Sequence, residues 1–274
     1  MGLFEELQEL MINHRFRPEK KLSQFYCINQ ALLHFLVKQA DLKKTDVVLE
    51  IGPGTGFLTR LLLEKSSVIA VEKDETMVEL LNKIFAKEIK SGKLKLINGD
   101  ILEQNINELG INKVVALPPY HISSDLILTL TLSNIKKAIL VLDIGFIEKI
   151  TSFEGYTTYN ALTAFLNLNA KVTVLEKVSP VSFFPKPNCV SGVIEINYTT
   201  KNNSKDFFIF LKELFRHKNK DLSRALKQAI PFLEKELNWN NTKLKHIENL
   251  ESDDRKIYSL TPKELLNIYE ELND

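Results

Sequence analysis

Three carboxylates and a run of glycines carry the first chemistry in this chain. Glu50-Ile51-Gly52-Pro53-Gly54-Thr55-Gly56 follows a short β-branched apolar run and precedes a helical pattern. Glycines at such a junction permit a tight turn and let backbone N–H groups approach a ligand at the helix N-terminus. The spacing is G-x-G-x-G, not the dinucleotide G-x-G-x-x-G, and Glu50 in front of it suits an ammonium better than a pyrophosphate. Glu72 stands twenty residues beyond Gly52, at the end of the next apolar run, where a carboxylate can take both hydroxyls of a ribose. Asp100, within Gly99-Asp100-Ile101 at the end of the third run, is placed to accept from an adenine amine. Alone, each is an ordinary turn or a solvated acid. At three successive strand ends they describe a pocket for S-adenosylmethionine.

Two further loops join aromatic rings to prolines. Ala116-Leu117-Pro118-Pro119-Tyr120-His121 ends the fourth apolar run, and in an open α/β sheet the reacting partner sits at that carboxyl edge. A rigid Pro-Pro turn followed by Tyr120 suits stacking on a flat base taken out of its helix. Phe183-Phe184-Pro185-Lys186-Pro187 is a second such loop, able to close the other face of the base. Basic residues cluster as well. Residues 205–227 hold seven Lys or Arg against three acids, and a second basic stretch runs from His14 to Lys21. Together they match an electrostatic footprint for phosphates.

The elements that must hold these residues follow from hydrophobic periodicity. Asp46–Gly52, Ser66–Glu72, KLKLI, NKVVAL and KAILVL read as buried strands separated by helical patterns, which argues a mostly parallel sheet with helices on both faces. One helix is expected with Ala31, Leu32, Phe35 and Leu36 inward, and another from Asp74 to Lys90. KVTVLEKV and SGVIEINYT, separated by the Pro-rich loop, are expected to pair antiparallel at the sheet edge. Beyond Tyr198 only helices are expected, giving a basic arm over 1–24, a sheet domain over 25–200 and a small all-α domain over 201–274.

Composition bounds the class. The chain has 274 residues with 36 basic and 35 acidic side chains, a net charge of +1, so a uniformly basic coat is excluded while local clustering is not. No apolar run approaches the roughly 20 residues of a membrane span. Cys27 and Cys189 lack metal-type spacing, so no metal is expected, and they fit reduced thiols in a cytoplasmic protein.

In order along the chain, Lys20-Lys21-Leu22-Ser23-Gln24, EIGPGTG with Glu72 and Asp100, Pro119-Tyr120 with Ile122-Ser123-Ser124, Phe183 to Ser191, and Phe215 to Lys220 resemble the motifs of the small-subunit ribosomal RNA adenine dimethyltransferases, archaeal type. The resemblance implies a Rossmann-like, seven-stranded methyltransferase sheet with a helical C-terminal domain, acting as a monomer on small-subunit rRNA or the pre-30S particle. It implies two methyl groups added to the amine of each of two adjacent adenines. Gln24, Glu50, Gly52, Gly54, Gly56, Glu72, Asp100, Ile101 and Leu117 would hold S-adenosylmethionine. Leu117, Pro118, Tyr120 and Phe183 would form the catalytic loop and base sandwich. Arg17, Lys20, Lys21, Arg216, Lys218, Lys220 and Arg224 would meet RNA. The sequence departs from the pattern on the target side: Leu117 stands where the family carries Asn, and Phe25 where it carries His. A non-catalytic, RNA-binding ribosome-assembly factor is the alternative, and a small-molecule methyltransferase on the same fold is a third reading.

Overall fold

Short β-branched runs closed by glycine or an acid become strands here, and the amphipathic stretches between them become helices. The computed structural model describes residues 2–19, 24–199, 204–239 and 254–272. The chain divides into two units, one of Met1–Ile147 with Val172–Tyr198, the other of Glu148–Lys171 with Thr199–Asp274.

The first unit is built on β2 (Val47–Ile51), β3 (Ser67–Glu72), β4 (Leu94–Asn98), β5 (Lys113–Ala116), β6 (Lys137–Asp143), β7 (Ala170–Val178) and β9 (Ser191–Tyr198), in spatial order β4-β3-β2-β5-β6-β9-β7. From β4 to β6 every neighbouring pair is parallel, and β9 lies antiparallel to β6 with β7 at the edge beside it. Strand order reverses between β2 and β5, so the carboxyl ends of β2, β3, β4 and β5 open on one crevice. Val48, Leu49, Val68, Val114 and Ile139 are buried because helices cover such strands from both sides. A two-stranded ribbon of β1 (Tyr26–Cys27) and β8 (Phe183–Phe184) pairs Tyr26 with Phe184 and Cys27 with Phe183.

Local choices explain the helices. Asn29 caps α2 (Gln30–Ala40) by accepting from Leu32 N, and Leu32, Leu33 and Leu36 face the core while Ala31 faces solvent. The expected single helix over 74–90 is two: α4 (Glu75–Ile84), capped by Asp74, and α5 (Ala86–Lys90), parted at buried Phe85. The expected N-terminal arm is partly a helix, α1 (Leu3–Asn13). Leu7 and Phe16 are buried in the core, and Phe4 packs edge-on against Phe184 at 5.4 Å.

The second unit takes in residues 148–171, which composition alone assigns to the sheet domain. Aromatic packing accounts for it. Phe165, on α8 (Ala161–Asn169), meets Phe207 at 6.1 Å and Phe208 at 5.3 Å on α9 (Lys205–Arg216), and Tyr159 meets Phe215 at 5.3 Å. Such pairs add roughly 0.5–1.5 kcal/mol beyond their buried area. The unit is completed by α10 (Leu222–Leu237), capped by Asp221, and α11 (Pro262–Glu271), opened by a Thr261–Glu264 capping box.

Candidate active site

A cavity of about 360 Å³ opens at the reversal point of the sheet. The turn after β2 forms its floor. Gly54 has φ +55, and a Cβ there would lie 3.0 Å from the Tyr26 ring, so the turn is both left-handed and closely approached. Gly54 N donates to Glu72 Oε2 at 3.0 Å, and Asp74 N donates to Oε1 at 2.9 Å. Glu72 therefore ties the glycine turn to the end of β3 and keeps one lone pair on each oxygen for a ligand. Burial raises its pKa against the pull of those backbone N–H groups.

Glu50 also lines the cavity, is 2% exposed, and its Oε2 has no hydrogen-bond partner among the described residues. Burial pushes its carboxyl up to about 8, with Thr59 offsetting part of the effect and the charge of Glu72 adding to it. Asp100 is different. Its Oδ1 accepts from Leu102 N at 2.9 Å and its Oδ2 from Lys73 Nζ at 2.9 Å, so backbone and ammonium together hold it below the usual carboxylate range. Gln24 Nε2 donates to Asp74 Oδ2 at 2.5 Å, which fixes the cavity wall from a third side.

After β5, Leu117, Pro119, His121 and Ile122 line the cavity. Tyr120 is held at both ends: its hydroxyl shares a 2.5 Å hydrogen bond with Ser191 Oγ, and its carbonyl accepts from Ser123 Oγ at 2.8 Å. Burial pushes the phenol up to about 12, so it stays protonated. The Phe25 ring, which also lines the cavity, stacks on Tyr120 with centroids 6.0 Å apart and planes 28° apart.

A family model described as ribosomal RNA adenine dimethylase matches residues 15–274. The chain belongs to that family. With membership comes S-adenosylmethionine-dependent methylation of rRNA adenines. The chain is 34% identical over 232 residues to a probable ribosomal RNA small subunit methyltransferase A of Methanopyrus kandleri, 82% of each chain. It is 31% identical over 272 residues to the protein of that name from Pyrococcus furiosus, 97% of this chain and 96% of the relative. A solved dimethyladenosine transferase from Plasmodium falciparum overlays with a TM-score of 0.75 at 27% identity, covering 89% of this chain and 96% of that one.

For a member of this family, the structure brings most of the expected residues together. Gln24, Glu50, Gly52, Gly54, Glu72, Asp100, Ile101 and Leu117 all line the cavity. Gly56 does not; a Cβ there would sit 2.5 Å from Phe85 and 2.9 Å from Leu81, so it serves helix packing. Pro118 and Tyr120 are not among the lining residues either. Phe183 is 4% exposed and paired with Cys27 in the ribbon, buried in the core rather than open to a base. Sequence reasoning missed Phe25, Cys27, Asp74 and Met77 as cavity residues. Asp74 had a signal, an N-cap acid two residues past Glu72.

Arg17 is exposed on the first unit, while Lys20 and Lys21 lie outside the described residues. The expected basic helix from Phe215 to Lys220 is the end of α9 and the turn after it, since Phe215 is core. Arg216 pairs with the buried Glu213 at 3.0 Å and Arg224 with Asp221 at 3.3 Å, each partner one turn away. Lys220 donates to the side chain of Gln228, and Lys218 to the carbonyl of Thr157.

Proposed function

We propose that this family member adds two methyl groups to the amine of each of two adjacent adenines in small-subunit rRNA, in the cytoplasm and as a monomer. The observation that carries the donor side is Glu50. A buried carboxylate with an orphaned oxygen, beside a second buried carboxylate, wants a cation in the cavity. S-adenosylmethionine, when bound, supplies a methyl group on a positively charged sulfonium. Glu72 would hold the ribose hydroxyls, Asp100 the adenine amine, and the turn at Gly52 and Gly54 the amino-acid part. Apolar Leu117, Pro119 and Ile122 would keep water from the reacting groups.

Methyl transfer from a sulfonium needs alignment more than a strong base. The chain must hold the target amine and accept its hydrogens. Leu117 offers no side-chain acceptor, which leaves the backbone carbonyl of Pro118 for that role. Loss of one buried acceptor costs on the order of 1–3 kcal/mol, or roughly one to two decades of rate. Mass spectrometry of small-subunit rRNA incubated with the protein and S-adenosylmethionine should show methylated adenines. Leu117→Asn should raise the rate roughly 10- to 100-fold. Unmodified adenines with RNA binding intact, in both proteins, would favour the assembly-factor reading instead.

A further inference from the structure

Within the second unit, two large apolar side chains stand in water: Phe153 at 52% and Tyr156 at 55% exposed. Their rings pack edge to face, 4.3 Å between centroids and 67° between planes. The loop that presents them is fastened on several sides. Gly155 N donates to the carbonyl of Tyr258 at 2.8 Å, Lys218 Nζ to the carbonyl of Thr157 at 2.7 Å, and the Ser152 and Thr158 hydroxyls share a 2.7 Å bond. Exposure of this pair is thus built into an ordered loop.

Lysines approach the loop from the segments that fasten it. Tyr258 N donates to the carbonyl of Lys218 and Ile257 N to that of Lys220, which brings the segment carrying Lys256 alongside the turn at 218–220. Lys256 Nζ lies 5.9 Å from the centroid of the Tyr258 ring. Acids are interspersed with them, Glu154 within the loop, Asp253 and Asp254 before Arg255 and Lys256, and Asp221 after Lys220, so Lys218 and Lys256 offer separate phosphate contacts and not a uniformly basic patch. Aromatic faces interleaved with lysines are what an unpaired nucleic-acid strand meets: bases stack, phosphates pair with ammonium groups. A protein partner fits less well, because stable protein interfaces bury on the order of 1,200 Å² or more, far beyond two rings set among charges.

We propose that Phe153 and Tyr156 form a stacking platform for an unpaired base of the substrate RNA, with Lys218 and Lys256 holding the flanking phosphates. None of these residues lines the methyl-donor cavity. The proposal rests on the reading that RNA is the substrate, and adds a second place where a base is gripped.

The test uses the full-length protein and single-stranded oligoadenylate, with rigid duplex RNA as comparison. Phe153→Trp places a fluorophore on the platform, and Trp239, the chain's single tryptophan, is buried and serves as the wild-type background. Oligoadenylate should quench the new fluorescence and leave the wild-type signal unchanged. Phe153→Leu and Tyr156→Leu should each weaken single-strand affinity on the order of tenfold, with unchanged melting temperature and S-adenosylmethionine affinity. Lys256→Gln should lower the salt slope by roughly 0.7. Unchanged affinity in both leucine variants, or equal effects on duplex and single strand, overturns the platform, while rRNA methylation by the wild type would leave the enzymatic reading standing. Quenching by oligoadenylate without rRNA methylation would do the reverse.

Discussion

Glu50 is the residue whose protonation the pocket governs. Buried, with one oxygen unpartnered and its carboxyl pushed up to about 8, it is mostly neutral at pH 7 in the absence of a cation. A sulfonium or ammonium near it stabilises the charged form and draws the pKa down. Binding of the methyl donor should therefore release a proton below about pH 8, and affinity should rise with pH until that point. The stability of the empty protein moves the other way. The raised value means the folded state holds a proton that the unfolded state gives up near 4.5, so this contribution is complete below 4.5 and is lost as pH rises through about 8. Calorimetric titration in two buffers of different ionisation enthalpy measures the released proton, and Glu50→Gln should abolish both it and the pH dependence. A pH-independent affinity in the unaltered protein would contradict the assignment. Glu50 as a candidate cation ligand came from the sequence, because an acid before a glycine turn is a poor phosphate site, and the structure places it buried in the cavity wall. That Phe25 stacks on Tyr120 while Phe183 is buried was not visible, because both follow from the β1–β8 ribbon, a pairing between residues more than 150 positions apart.

At the scale of elements, the glycine turn is held by what packs beneath it. Gly56 opens α3 (Phe57–Lys65) with φ +77, and Phe85, at the break between α4 and α5, occupies the space a side chain would need. Gly110 has a similar φ of +67 but nothing within 4 Å of its Cβ position. Gly110→Ala should cost about 1–2 kcal/mol, the left-handed backbone alone. Gly56→Ala should cost more by roughly 1–3 kcal/mol, because the ring and Leu81 must shift as well. Urea unfolding midpoints of the two variants separate the terms, and equal losses would show that Phe85 yields freely. The parallel strands were legible because strands covered on both faces read as nearly continuous apolar runs, as in VVLEI, broken only by Glu50, and AILVL. The α4–α5 break was not, since helical periodicity continues across Phe85 and only the fit beneath Gly56 interrupts it. Nor was α1 as a packed element. Leu3, Leu7 and Leu10 lie at helical spacing among three glutamates, but that pattern does not say which surface they pack on.

Across the whole molecule, a net charge of +1 conceals an uneven distribution. Seven basic residues between 205 and 227 face three acids, and those acids are already engaged: Asp206 lies in the first turn of α9, Glu213 is buried and paired with Arg216, and Asp221 caps α10. The surface pair Arg224–Asp221 is worth about 0–1 kcal/mol, so Arg224 can exchange its partner for a phosphate at little cost, whereas Arg216 neutralises the buried Glu213 carboxylate and can meet a phosphate with its remaining donors. If this surface meets the RNA backbone, affinity must fall steeply with salt, because each neutralised phosphate releases condensed counterions. Replacing Arg216, Lys220 and Arg224 together by Gln should flatten the plot of log affinity against log salt by roughly 2–3, at about 0.7–0.9 per phosphate contact. S-adenosylmethionine affinity should not change, because the cavity lies wholly within the first unit. Fluorescence anisotropy of a labelled small-subunit rRNA fragment between 50 and 300 mM salt, about the range in which such slopes are resolved, provides the measurement. An unchanged slope would move the phosphate contacts elsewhere, with Arg17 and the basic stretch around it on the first unit as the next surface to alter. A slope reduced without loss of methylation at low salt would show that this surface recruits the RNA and takes no part in methyl transfer itself.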